Sequence, residues 1–303
     1  MALVNSKEMF KKALSEGYAI PAFNVCNMES AQAVAEVANE KNAPVIIAVS
    51  EGAGKYAGYD YIRAIVETAS KHCSSDIVLH LDHGKTFDAC KAAIDAGFTS
   101  VMIDGSSLSF EENIAETKKV VDYAHARNVT VEAELGKIMG TEDLIHSDTE
   151  SFTDPAEAKE FVERTGVDSL AISIGTAHGV NKSINTPVIQ YGVIENVHNA
   201  IPEVPLVAHG SSTVPAKWVE LIKKYGGEIK KSQGISEDDI VKMSKSAICK
   251  INMDTDLRLA HTAGVREDLA LNPNHFDQRD FNKAGKKYVK EQIARAFELV
   301  QGK

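Results

Sequence analysis

An eightfold alternation constrains this chain more than any other feature of its sequence. Short β-branched or apolar runs fall at 19–24 (AIPAFN), 45–50 (VIIAVS), 77–82 (IVLHLD), 100–104 (SVMID), 129–134 (VTVEAE), 169–174 (SLAISI), 204–209 (VPLVAH) and 247–252 (AICKIN). Amphipathic stretches separate them, among them 30–39, 61–72, 110–127 and 156–164. Eight strand–helix alternations without a Pro/Gly/Ser-rich linker predict one α/β domain over 1–303, a (β/α)8 TIM barrel with a C-terminal helical extension over 283–300. A doubly wound sheet fits less well, because no GxGxxG follows the first strand. The runs share no internal sequence identity, so the chain is not a solenoid. Segments 136–153 and 232–237 read as loops; the first is long, polar and glycine-punctuated, as a lid over a site would be.

Composition narrows the function. Hydrophobic residues make up 44% and charged residues 25% of the 303, ordinary values for a globular protein. The net charge of −10 disfavours nonspecific binding to nucleic acid or to an anionic membrane. No apolar stretch reaches the roughly 18 residues that a spanning helix needs. The opening MALVNSKEMFKKALSEG lacks the apolar core of a signal peptide and reads as the start of a helix. Cys26, Cys73, Cys90 and Cys249 show no CxxC spacing, which fits a reducing cytoplasm and argues against a disulfide scaffold or a cysteine zinc site.

In a barrel the chemistry sits at the C-terminal ends of the strands. There the sequence places His80-Leu81-Asp82-His83-Gly84, Asp104, Glu132-Ala133-Glu134, Gly175-Thr176-Ala177-His178-Gly179, His209-Gly210-Ser211-Ser212 and Asn252-Met253-Asp254-Thr255-Asp256. A lone polar residue at a strand tip is ordinarily structural. Three histidines at three strand ends, His83, His178 and His209, can instead supply the neutral nitrogens of a catalytic zinc site with an open position. Asp82 and His83 are adjacent, so they share a site only if the backbone turns there, which Gly84 would permit. His80 should face the same way as Asp82 and is expected to be packed and hydrogen-bonded, not a ligand.

The blocks HLDHG (80–84), VEAELGKIMGTED (131–143), GTAHG (175–179), HGSS (209–212) and KINMDTD (250–256) resemble the class II, metal-dependent fructose-bisphosphate aldolases. Tagatose-bisphosphate aldolases share most of them. The resemblance runs from PAFN (21–24) to FDQR (276–279), and the first two blocks together are highly specific. It implies zinc-dependent, reversible cleavage of a ketose 1,6-bisphosphate into dihydroxyacetone phosphate and an aldehyde phosphate, as in glycolysis and gluconeogenesis. His83, His178 and His209 would hold Zn2+; Asp104 and Glu134 would serve a second cation position, divalent or monovalent. Asp82 would exchange the C4 hydroxyl proton, and Glu142, in the long loop, a proton on the dihydroxyacetone phosphate carbon.

The same resemblance assigns phosphate and hydroxyl contacts. Gly179, Gly210, Ser211 and Ser212 would cradle one phosphate with backbone amides and hydroxyls, with Asn252, Asp254 and Thr255 beside them; such a cradle binds an anion without a net positive protein. Asn24 and Ser50 resemble substrate-side contacts, although ordinary strand-end hydrogen bonding would account for them equally. Arg279 would reach a neighbouring subunit's second phosphate, which implies a homodimer or homotetramer. Two departures stand out: Gln278 where relatives usually carry Pro, and VNKSIN at 180–185, where Lys182 is given no role. The rival in another mechanistic class is a Schiff-base aldolase using Lys250, which should point into the barrel. A zinc hydrolase usually places an HxH pair on one strand, and a scaffold with structural zinc needs four protein ligands; neither matches this pattern. Fructose and tagatose bisphosphates, being C4 epimers, are not separated by the sequence.

Overall fold

The computed structural model describes residues 3–142, 145–147, 151–178, 187–229 and 233–302, with 141, 142 and 145–147 described in their backbone only. Eight parallel strands follow one another in chain order: β1 (Ile20–Asn24), β2 (Val45–Ser50), β3 (Ile77–Gly84), β4 (Ser100–Ile103), β5 (Thr130–Leu135), β6 (Ser169–Ile172), β7 (Leu206–Ala208) and β8 (Ile248–Met253). Pairing of β8 with β1, Ile20 opposite Lys250 and Ala22 opposite Asn252, closes the barrel. Each strand begins and ends within two residues of its predicted limits.

Side-chain alternation sorts each strand between two environments. On β3, Ile77, Leu79 and Leu81 belong to the large core shared with the surrounding helices. Val78 belongs instead to a separate cluster with Ile20, Ala22 and Ile46, against which Met9, Phe10 and Ala13 of the helix Lys7–Glu16 pack. That helix matches the expected helical start of the chain. Met102, Ala171 and Val207 form a third apolar cluster. Other inward positions are polar: His80, Asp82, Glu132, Lys250 and Asn252 are all buried.

Capping residues set where the crossovers turn into helices. Asn27 and Ser30 form a reciprocal cap before Met28–Lys41, as Ser109 and Glu112 do before Phe110–His125. Asp154, followed by a proline, opens Pro155–Thr165. The C-terminal helix Gln278–Gln301 starts earlier than predicted, because Asp277 accepts from the Arg279 amide and caps it. Its Phe297 ring lies 5.9 Å from Phe23 on β1. Among the described residues no helix is long and apolar enough to cross a membrane.

The long segment expected to be a loop differs. Met139–Glu142 and Ile145–Ser147 pair as an antiparallel hairpin, and Met139 and Gly140 pair in parallel with Ala177 and His178. The partner strand is remote in sequence, so a local reading of polar, glycine-bearing residues gives no hint of it.

Candidate active site

The backbone turns sharply at the end of β3. His83 itself adopts φ +51°, so the backbone turns one residue earlier than expected. Gly84 serves close approach: a Cβ there would stand 2.7 Å from the Met102 carbonyl oxygen of β4. The β3–β4 pairing shifts over Leu81 to Gly84 for the same reason. The turn lets consecutive residues Asp82 and His83 serve one site, and ligand atoms of Asp82, His83 and His209 lie within 4.8 Å of one another.

The three histidines converge. Ring centroids of His83 and His209 are 4.4 Å apart, those of His83 and His178 5.1 Å, and those of His178 and His209 6.2 Å. His83 Nδ1 lies 3.1 Å from Asp104 Oδ2 and 4.0 Å from Glu134 Oε2. Its Nε2 is buried with no hydrogen-bond partner among the described residues. A buried ring nitrogen without a partner, on a ring fixed through the other nitrogen, is the arrangement of a metal-ligating histidine. Three imidazoles suit a borderline-soft divalent ion, so the donor set fits zinc.

Electrostatics agree. Burial opposes charge on His83, but Asp82, then Asp104 and Glu134, outweigh it and hold the imidazole up at about 10. The surroundings thus favour a positive charge at this point, whether proton or metal. Burial alone would raise Asp104, yet His83 and Lys85 hold it well below the usual carboxylate range. Burial and the neighbouring Asp104 push Glu134 up to about 8. Burial, helped by His83 and Lys250, drives His209 well below the ordinary histidine value, so it is a neutral donor. His83, Asp104 and Glu134 form a second group of potential ligand atoms within 4.8 Å. There Asp104 is already engaged by His83, by Lys85 Nζ at 2.8 Å and by Ser106 Oγ at 2.7 Å.

Asp82, 1% exposed, accepts from Asn24 Nδ2 at 2.7 Å and from Asn252 Nδ2 at 2.9 Å. Two amides hold its oxygens in place without neutralising them. Asn24 and Asn252, expected to touch substrate, therefore also position this carboxylate, while their own Oδ1 atoms are buried and unpartnered among the described residues. Ser50 accepts from the Ala53 amide and caps the helix Glu51–Ala57. Ser211 turns its hydroxyl toward the carbonyls of Ala208 and His209. Gly210, at φ +61°, passes so close to Ala177 that a Cβ would lie 2.7 Å from that carbonyl oxygen. Ser212 and Thr255 are buried. Asp254 binds Arg258 through Nε at 2.8 Å. Arg279 sits in the first turn of the C-terminal helix, 86% exposed and paired with Asp277. Gly179 lies outside the described residues, as does Lys182, and Glu142 is described in its backbone alone.

His80 is packed and hydrogen-bonded, as the sequence suggests, between Ser100 Oγ at 2.8 Å and Lys250 Nζ at 3.1 Å. Lys250 also donates to Glu132 Oε2 at 2.8 Å. Both contacts occupy the amine that a Schiff base would need free to attack a carbonyl. Sequence reasoning missed Glu132, which lies 2.7 Å from His209 Nε2. Its two-residue spacing from Glu134, placing both on one strand face, was the available signal. It also missed Arg258, which lines a cleft of about 430 Å³ with Asn24, Ser50, Tyr56, Asp254 and His261.

A TIM barrel that gathers three buried histidines and a tethered aspartate at one end fits a metal-dependent site of the aldolase kind. The family model described as "Fructose-bisphosphate aldolase class-II" matches residues 4–303, and the chain belongs to that family. It is 46% identical over 299 residues to a fructose-bisphosphate aldolase from Thermus caldophilus, covering 98% of this chain and 97% of the relative. To the fructose-bisphosphate aldolase of Treponema pallidum it is 43% identical over 300 residues, covering 93% and 90%. Among solved structures, the YdjI aldolase from Escherichia coli K12 superposes with TM-score 0.80 at 32% identity, covering 99% of this chain and 97% of the other. The fructose-bisphosphate aldolase of Campylobacter jejuni gives TM-score 0.77 at 25% identity, covering 99% and 95%. The protein is thus a class II aldolase, a carbon–carbon lyase.

Proposed function

We propose that the protein carries out zinc-dependent, reversible aldol cleavage of fructose 1,6-bisphosphate to dihydroxyacetone phosphate and glyceraldehyde 3-phosphate, in the cytoplasm, within glycolysis and gluconeogenesis. The observation that carries this is the buried, unpartnered Nε2 of His83 within the three-histidine cluster, beside a carboxylate fixed by two amides. The names of the relatives favour fructose over tagatose bisphosphate.

Zinc held by His83, His178 and His209 would supply Lewis-acid stabilisation of the negative charge that develops when the C3–C4 bond breaks. Asp82 takes the C4 hydroxyl proton in cleavage and returns it in condensation; the amides of Asn24 and Asn252 keep its oxygens oriented without removing their charge. Glu142, on the hairpin paired to the His178 strand, exchanges the proton at the carbon of the three-carbon product. Asp104 and Glu134 orient His83 and offer the second cation position. Gly179, Gly210, Ser211, Ser212, Asn252, Asp254 and Thr255 bind the dihydroxyacetone phosphate half, and Asn24 and Ser50 make substrate-side contacts. The exposed Arg279 reaches the second phosphate of a neighbouring subunit in a homodimer or homotetramer.

The test is cleavage of fructose 1,6-bisphosphate with and without EDTA, then with zinc restored, and tagatose 1,6-bisphosphate in parallel. Activity lost to chelator and recovered with zinc is expected, with the fructose ester cleaved faster. Activity indifferent to EDTA would overturn the zinc assignment.

A further inference from the structure

One of the three histidines is held on one side by a carboxylate that the proposed reaction does not use. His209 Nε2 lies 2.7 Å from Glu132 Oε1, with both side chains 1% exposed. Its Nδ1 lies 3.2 Å from Asn252 Nδ2, the same amide nitrogen that donates to Asp82 Oδ1. An amide nitrogen has only hydrogens to offer, so Nδ1 presents its lone pair on the Asp82 side. The ring proton is therefore on Nε2, directed at Glu132. Turning the Asn252 amide over would set its oxygen against the Asp82 carboxylate.

Glu132 is itself clamped. Its Oε2 accepts from Lys250 Nζ, which also contacts His80 Nε2, and His80 Nδ1 meets Ser100 Oγ. The relay Ser100–His80–Lys250–Glu132–His209 runs through β4, β3, β8 and β5 to the end of β7, and no member is more than 3% exposed. A well-packed apolar pair would stabilise such an interior at least as well as a buried ion pair.

We propose that Glu132 is a positioning residue for the metal site: held by Lys250, it fixes the tautomer and ring orientation of His209 so that Nδ1 faces the cation beside His83. This rests on the three-histidine cation site proposed above.

The test uses the double variant Glu132→Leu/Lys250→Met, which leaves neither charge unpaired, with circular dichroism and thermal melting to verify the fold. Zinc affinity is measured by competition with a chromophoric chelator, and the visible absorption of the cobalt-substituted protein reports ligand geometry. The expected result is zinc bound about 10–100-fold more weakly and a shifted cobalt spectrum, with KM nearly unchanged. A folded variant with wild-type zinc affinity and an unshifted spectrum would show a structural role only. Should the double variant not fold, Glu132→Asp, which keeps the charge but shortens the reach, is expected to weaken zinc in the same direction; wild-type affinity there overturns the proposal. A wild-type protein that binds no zinc would sink the metal site itself, whereas a zinc-binding wild type with insensitive variants sinks only the role of Glu132.

Discussion

Asp104 Oδ2 stands 3.1 Å from His83 Nδ1, across 21 residues of sequence and two adjacent strands. That contact decides which ring nitrogen of His83 is left to face His178 and His209. Lys85 and Ser106 in turn hold Asp104.

Asp104→Ala is expected to weaken zinc about 10–100-fold, since His83 loses the group that orients it. Lys85, 31% exposed, can turn to solvent, so the fold should persist. Zinc retained against a competing chelator reads the effect, and wild-type retention would refute it.

Asp82→Ala should separate chemistry from metal binding. Loss of a positioned proton acceptor predicts a fall in kcat of about 10²–10⁴, with zinc stoichiometry kept by the three histidines. Near-full cleavage activity by the variant would remove Asp82 from the mechanism.

The metal-free protein should lose stability as pH rises from about 6.5 to about 10. His83 is raised from 6.5 to about 10 and Glu134 from 4.5 to about 8. A raised folded pKa gives stability that is complete below the unfolded value and is lost as pH rises through the folded one. His209 and His80 are depressed, so their contribution changes only below the ordinary histidine value, outside this window. Zinc on a neutral His83 takes over the proton's role, so the loaded protein should show a flatter profile. Melting temperatures with EDTA and with zinc across this range check it; a metal-free profile that rises would be the contrary result.

Gly210→Ala places a side chain at φ +61° and 2.7 Å from the Ala177 carbonyl oxygen. Strain of this kind costs about 1–3 kcal/mol, and its relief would shift the loop that carries Ser211 and Ser212. A lower melting temperature and a higher KM for the bisphosphate are expected. An unchanged KM would take this loop out of phosphate binding.

The barrel was legible because its strands are buried on both faces and therefore read as unbroken apolar runs such as VIIAVS. Asp82, His83 and His209 were legible because they end or directly follow those runs, whereas His178 lies on a two-residue strand beyond β6. What escaped was set by closure rather than by neighbours in sequence. Asn252 reaches Asp82, and Lys250 reaches His80, across 170 residues. A closed barrel already sets β8 beside β1, but not which side chains meet across the interior. The turn at His83 escaped too, since a glycine stood next to it and a histidine at positive φ is uncommon.

The pairing of Met139 and Gly140 with Ala177 and His178 carries a mechanical consequence. The hairpin that bears Glu142 cannot swing freely: its root is tied to the backbone of His178, one of the three proposed ligands. A displacement large enough to undo those two pairings would also tug at His178. Lid travel at this hairpin would thus be leashed to the grip on the proposed cation, and a protein caught with the hairpin torn open should also be one that leaks its metal.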